Sequence, residues 1–139
     1  MSQTDDQTLD QKQADEIRQK VRDSYSQVAE ASDTGDCCGE GASCCGVSDD
    51  DAINTLVSTR LGYSKDDLDT VPEGADMGLG CGNPRAIASI KTGETILDLG
   101  SGGGFDCFLA AAEAGEDGKV IGIDMTPTMI SKARHNAEK

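Results

Sequence analysis

The sequence predicts an α/β chain: the first strand–helix–strand–helix units of a parallel sheet, preceded by a helical, cysteine-rich extension. Three observations carry this expectation. Two short apolar runs, "ETILDLG" and "KVIGID", are each followed closely by a helical pattern. Gly100, Gly102 and Gly104 punctuate the chain between the first run and its helix. The links are short, as in right-handed crossovers between parallel strands.

The elements follow in order. Ile17, Val21, Tyr25 and Val28 recur at helical spacing, which predicts an amphipathic helix over about 10–31 with one buried face. The next stretch, "SDTGDCCGEGASCCGVS", has no periodicity and reads as an irregular loop. Ser48 suits an N-cap with Asp49 to Asp51 at the positive end of a helix dipole, predicting a helix over 49–60 with Gly62 just past its end. Residues 62–83, with Pro72, Gly74, Gly78, Gly80 and Gly82, read as a long connection. Asn83 and Pro84 suit the N-cap and first position of a short helix over "RAIASI". "ETILDLG" then predicts a buried strand, and "FDCFLAAAEAG" a helix closed by Gly115. "KVIGID" predicts a second strand, and "TPTMISKARHNAEK" a helix capped by Thr126 with Pro127 at its first position.

The expected segments are 1–31 (helical), 32–47 (cysteine-rich loop), 48–92 (helical and loop extension) and 93–139 (start of the sheet domain). Two parallel strands cannot cover both faces or pair both edges, so further strands are expected to lie outside these 139 residues.

Composition limits the partners. Aromatics are 3% of the chain, so the core must rest on Leu, Ile, Val and Ala. Acidic residues number 26 against 12 basic ones, and a net charge of −14 repels nucleic acid phosphates and anionic membranes. High internal salt would favour the same balance. The N-terminus has no apolar signal region and no stretch approaches the ~18 apolar residues of a span. A cytoplasmic location is expected, where the six cysteines stay reduced and read as thiols or ligands rather than disulfides.

The glycine loop lies between strand and helix, where backbone amides meet a ligand if no side chain intervenes. Its pattern is GxGxG; Phe105 occupies the third glycine position of the dinucleotide fingerprint, and no GK[ST] follows. Asp124, at the end of the second strand, can accept hydrogen bonds from ribose hydroxyls. Asp98, at the end of the first, can face an ammonium group. Ribose and ammonium without pyrophosphate describe S-adenosylmethionine; a glycine-rich turn with no ligand is the alternative.

With "LGCGNP" at 79–84, "ETILDLGSGGGFDC" at 94–107, "VIGIDMTPTMISKARHNAEK" at 120–139 and the upstream "VRDSYSQVAE", the sequence resembles the arsenite S-adenosylmethionine methyltransferases. The resemblance implies the first βαβα part of a Rossmann-like class I methyltransferase sheet. It implies a cofactor set of Asp98, Gly100, Ser101, Gly102, Gly104, Asp124 and Met125, with Tyr25 either lining the pocket or packed in the core. It also implies a small-molecule substrate, trivalent arsenic as a thiol adduct, and a thiol reductant. Cys81 matches one family cysteine; Cys37, Cys38, Cys44 and Cys45 are all candidates for another, and the remaining two fall beyond residue 139. No catalytic residue is assigned within the chain.

Thiolates suit soft arsenic(III). "CCGEGASCC" lacks the within-pair gaps of zinc sites; a vicinal disulfide switch is a further alternative. Methyl transfer from a sulfonium to an arsenic lone pair needs alignment rather than a base, and His135, the single histidine, reads as a solvated helix residue. Cys107 reads as a small buried hydrophobe. Two other functions fit the residues: a thiol-rich metalloid-binding protein without catalysis, and a class I methyltransferase for another small substrate.

Overall fold

The computed structural model describes residues 4–34 and 50–139, with side chains over 10–30 and 52–139. The Ser48 cap with Asp49, and the four paired cysteines, lie outside the described residues.

Helix α1 (Thr4–Thr34) is longer than its apolar pattern. Its expected stripe is mostly open, with Ile17 62% and Tyr25 44% exposed. The buried contact is made by the small Ala29, where α1 lies against α6 (Pro127–Asn136), and the Thr128 hydroxyl meets Ser26 Oγ at 3.3 Å. A small residue lets two helix backbones approach, and that shifts the buried line off the larger side chains.

Helix α2 (Asp50–Arg60) ends as expected at Gly62, whose φ is +98°. The predicted connection after it contains a helix, α3 (Lys65–Thr70). Ser64 accepts the Asp67 N–H at 3.1 Å, and the Asp67 carboxylate accepts the Ser64 N–H at 2.9 Å, a reciprocal capping box. Asn83 Oδ1 accepts the Ala86 N–H at the start of α4 (Arg85–Ala88). That helix is one turn long rather than the whole of "RAIASI", because Ser89 turns left-handed at φ +50°.

Strands β1 (Thr95–Leu99) and β2 (Lys119–Ile123) pair in parallel from Thr95↔Lys119 to Leu99↔Ile123. Helix α5 (Phe105–Ala114) connects them and packs on one face, burying Leu109, Ala110 and Ala114. The expected buried strand is therefore covered on one face alone, where Ile96 and Asp98 are half-buried, and Leu97 and Leu99 are 55% and 73% exposed on the other. Gly122 lies on the covered face, where a Cβ would come within 2.8 Å of both Cys107 Sγ and Ser101 Oγ. Its lack of a side chain lets α5 and the loop sit on the sheet.

Thr126 occupies the N-cap of α6, but its hydroxyl makes no capping bond; the backbone N–H of Thr126 goes to Asp124 instead. Asn136, 1% exposed at the far end of α6, donates to the Gly103 carbonyl at 3.0 Å and the Gly74 carbonyl at 3.4 Å. One amide thus fastens the last helix to the glycine loop and to the extension. Among the described residues no helix is long and apolar enough to cross a membrane.

Candidate functional site

The chain leaves β1 through Gly100, whose φ of +86° an L side chain would resist and whose absent Cβ would meet no protein atom within 4 Å. The N–H groups of Gly100 and Ser101 bond to the Ile123 carbonyl at 2.7 and 3.1 Å, tying the bend to the end of β2. Asp124, the next residue, accepts the Gly102 N–H at 3.0 Å and the Thr126 N–H at 2.8 Å. Glycine loop and acid therefore form one braced unit. Each Asp124 oxygen keeps acceptor capacity for a second donor.

A cavity of about 630 Å³ opens over this unit. Of the sequence candidates, Tyr25, Cys81, Asp98, Gly100, Ser101, Gly102, Asp124 and Met125 line it. Gly104 does not; it stands behind the wall, where a Cβ would lie 2.9 Å from the Phe108 ring. Gly103, which no motif singled out, lines it instead. Tyr25 is half-exposed and belongs to the wall rather than to a core. His135 is exposed on α6, as expected.

Four carboxylates, Asp76, Asp98, Asp106 and Asp124, face this cavity, and no Lys or Arg does among the described lining residues. Such a wall repels pyrophosphate and attracts a cation. Asp76 is fixed by the Ser58 hydroxyl at 2.9 Å and the Gly78 N–H at 3.0 Å.

Asp98 is the fourth residue of the five in β1 rather than its end. Cys107 Sγ donates to Asp98 Oδ2 at 3.2 Å. Burial, then the bonded Asp98 carboxylate, pushes the Cys107 thiol up to about 12, so it stays protonated at neutral pH. The reading of Cys107 as a small hydrophobe is thus corrected: it is a half-buried hydrogen-bond donor that fixes a cavity carboxylate.

Cys81, which lines the same cavity, is exposed and free. Beside it the Tyr63 ring is 2% exposed and meets Phe105 edge-on, with centroids 4.9 Å apart. The Tyr63 hydroxyl lies 2.7 Å from Asp106 Oδ1 and 2.9 Å from the Gly82 carbonyl. Burial and the bonded Asp106 both raise the Tyr63 pKa, so the phenol keeps its proton. Burial raises Asp106 as well; the Tyr63 bond opposes this and nearby Asp98 adds to it.

Below, Arg85 Nη1 pairs with Asp67 at 2.9 Å, while Nε and Nη2 both bond Glu113 Oε1. The Arg85 bond holds the Asp67 carboxyl down at about 2, helped by the Ser64 N–H. Among the described residues no group of three or more His, Cys, Asp or Glu could hold a metal ion.

Sequence reasoning passed over Tyr63, Asp76, Asp106 and Asn136. Tyr63 carried a signal: in a chain with two Tyr and two Phe, each ring is a core candidate, and the capping box at Ser64 and Asp67 adjoins it. Asp106 and Asn136 carried none, because their partners are remote in sequence, and Asp76, though it takes the Gly78 N–H locally, meets Ser58 from 18 residues away.

Parallel strands joined through a helix, a glycine bend after the first and an acid after the second define a partial Rossmann-like α/β fold. A family model described as a methyltransferase domain matches residues 90–139. Over its whole length the chain is similar to an arsenite methyltransferase of Halobacterium salinarum, at 49% identity and covering 36% of that protein. An arsenite methyltransferase of Mus musculus is 36% identical over 55% of this chain and 21% of its own length. The chain therefore spans about a third or less of these two relatives. Among solved structures, an arsenic(III) S-adenosylmethionine methyltransferase from Chlamydomonas reinhardtii matches 58% of this chain and 24% of its own, at 35% identity and a TM-score of 0.40.

Proposed function

We propose that the chain forms the S-adenosylmethionine site and one arsenic-handling thiol of an arsenite methyltransferase. The observation that carries this reading is a single cavity lined by the braced glycine loop, by Asp124 and by the free thiol of Cys81. The residues fit such a cofactor. The space where a Gly100 side chain would stand is open, and Thr126 Oγ1, in the same wall, is buried without a partner that a bound ligand could supply. The carboxylate lining suits a ligand carrying sulfonium and ammonium charges.

When bound, S-adenosylmethionine supplies an activated methyl group. Asp124 would hold the ribose, and Asp98, oriented by Cys107, would face the ammonium group. Met125 and, from α1, Tyr25 contribute apolar wall. Cys81 would hold the substrate arsenic as a thiolate, with one of Cys37, Cys38, Cys44 or Cys45 as a second ligand. No side chain has to move a proton during transfer, since the arsenic lone pair carries none; the contribution is alignment. A thiol reductant would keep the cysteines competent, consistent with a cytoplasmic setting, and the charge of −14 disfavours nucleic acid or anionic membrane partners.

The protein purified from its own cells, given arsenite, a thiol reductant and methyl-labelled donor, is expected to yield labelled methylated arsenic. Recovery of unmethylated arsenite alone, with the donor bound, would favour metalloid capture without catalysis. Turnover on another acceptor that survives Cys81→Ser would favour a different small substrate.

A further inference from the structure

The Cys81 loop has little to hold it. Among the described residues, no backbone–backbone hydrogen bond reaches residues 79–82, and the single hydrogen bond on them is the one from the Tyr63 hydroxyl to the Gly82 carbonyl. Cys81 stands between two glycines: a Cβ at Gly80 would come 3.0 Å from Leu61 Cδ1, whereas the missing Cβ of Gly82 faces open space, so packing restrains the loop on its Gly80 side and not on its Gly82 side. The same hydroxyl shares its proton with Asp106 Oδ1 at 2.7 Å, in the first turn of α5, which the glycine loop leads into. The Tyr63 ring itself is immobilised by burial and by Phe105.

We propose that Tyr63 is a positioning residue whose hydroxyl, sharing its one proton between the Gly82 carbonyl and the Asp106 carboxylate, ties the Cys81 loop to the buried ring beside α5 and so sets where the Cys81 thiol stands in the cavity. Alignment is what a methyl transfer without acid–base catalysis asks of the protein, and a misplacement of about 1 Å costs on the order of 100-fold in such reactions. Phenylalanine would keep the ring and lose the tie. The inference rests on reading Cys81 as the arsenic-handling thiol, yet the tie can be probed without arsenic or donor.

The test is alkylation of the full chain by iodoacetamide, followed at the Cys81 and Cys107 peptides by mass spectrometry. Tyr63→Phe is expected to speed labelling of Cys81 about 5-fold or more while Cys107 changes less than about 2-fold, because a freed loop presents its thiol more often. General loosening of the fold would accelerate both thiols and would overturn the proposal, as would a Cys81 rate within 2-fold of the parent chain. Asp106→Ala removes the acceptor that competes for the single phenol proton and leaves it to the Gly82 carbonyl, so Cys81 labelling is expected to stay within about 2-fold of the parent rate or to slow. An acceleration of about 3-fold or more in Asp106→Ala would overturn the proposal independently of whether Tyr63→Phe folds. A failed methyl-transfer assay would sink the functional reading and leave this result standing.

Discussion

The two loops that line the cavity are built on opposite plans. Residues 100–104 are braced from several directions: the Ile123 carbonyl takes two N–H groups, Asp124 a third, and Asn136 closes on Gly103. Residues 79–82 hang from one hydroxyl. A preformed ligand seat therefore confronts a thiol whose place is set by a side chain from another segment. A ligand seat gains affinity from preorganisation, whereas the thiol stands where one remote side chain holds its loop.

The largest test of this contrast is Gly100→Ala. Its Cβ meets no protein atom, so the fold should persist with about 1–2 kcal/mol of backbone strain. Affinity for S-adenosylmethionine, measured by calorimetry, should nevertheless fall about 100-fold or more, equivalent to about 2.8 kcal/mol. Full affinity in a folded variant would show that the seat lies elsewhere. Next, Asp124→Ala should strand the Gly102 and Thr126 N–H groups and lower stability by about 2 kcal/mol in urea denaturation. A change under 0.5 kcal/mol would mean the brace is ornamental.

Arg85→Met sharpens the comparison from below, since Arg85 anchors the segment that follows the Cys81 loop. Losing its bonds to Asp67 and Glu113 should cost about 1–2 kcal/mol while the ligand affinity of the glycine loop is preserved. The smallest effect is a pH slope. Asp67 is held at about 2 against an ordinary value of 3.8, so the unfolded chain binds more protons between these limits. Its stabilisation is complete above about pH 4 and declines as pH falls toward 2, with a slope of at most about 1.4 kcal/mol per pH unit. Acid denaturation followed by circular dichroism should show this slope reduced in Arg85→Met.

The order of elements was legible in the chain because each signal is local: an apolar run, a glycine break, a proline at a helix start. Gly62 and Gly115 stop helices as expected, and Pro127 begins one. Helix α3 was legible too, in the Ser64 and Asp67 pair, had the capping box been weighed against the glycines around it. The stripe on α1 misled, since periodicity reports which face is apolar and not whether anything covers it.

The local sequence by itself determined the glycine bend and the acid after β2, because positive φ and strand–helix turns restrict residue choice within a few positions. Only the tertiary structure decided that Cys107 serves Asp98, that Tyr63 spans from Gly82 to Asp106, and that Asn136 locks the loop. Those partners lie 9 to 43 residues apart, with Asn136 reaching back 33 to Gly103. Hydrogen bonds at that range are selected by packing, which brings together side chains whose identities say nothing of one another along the chain.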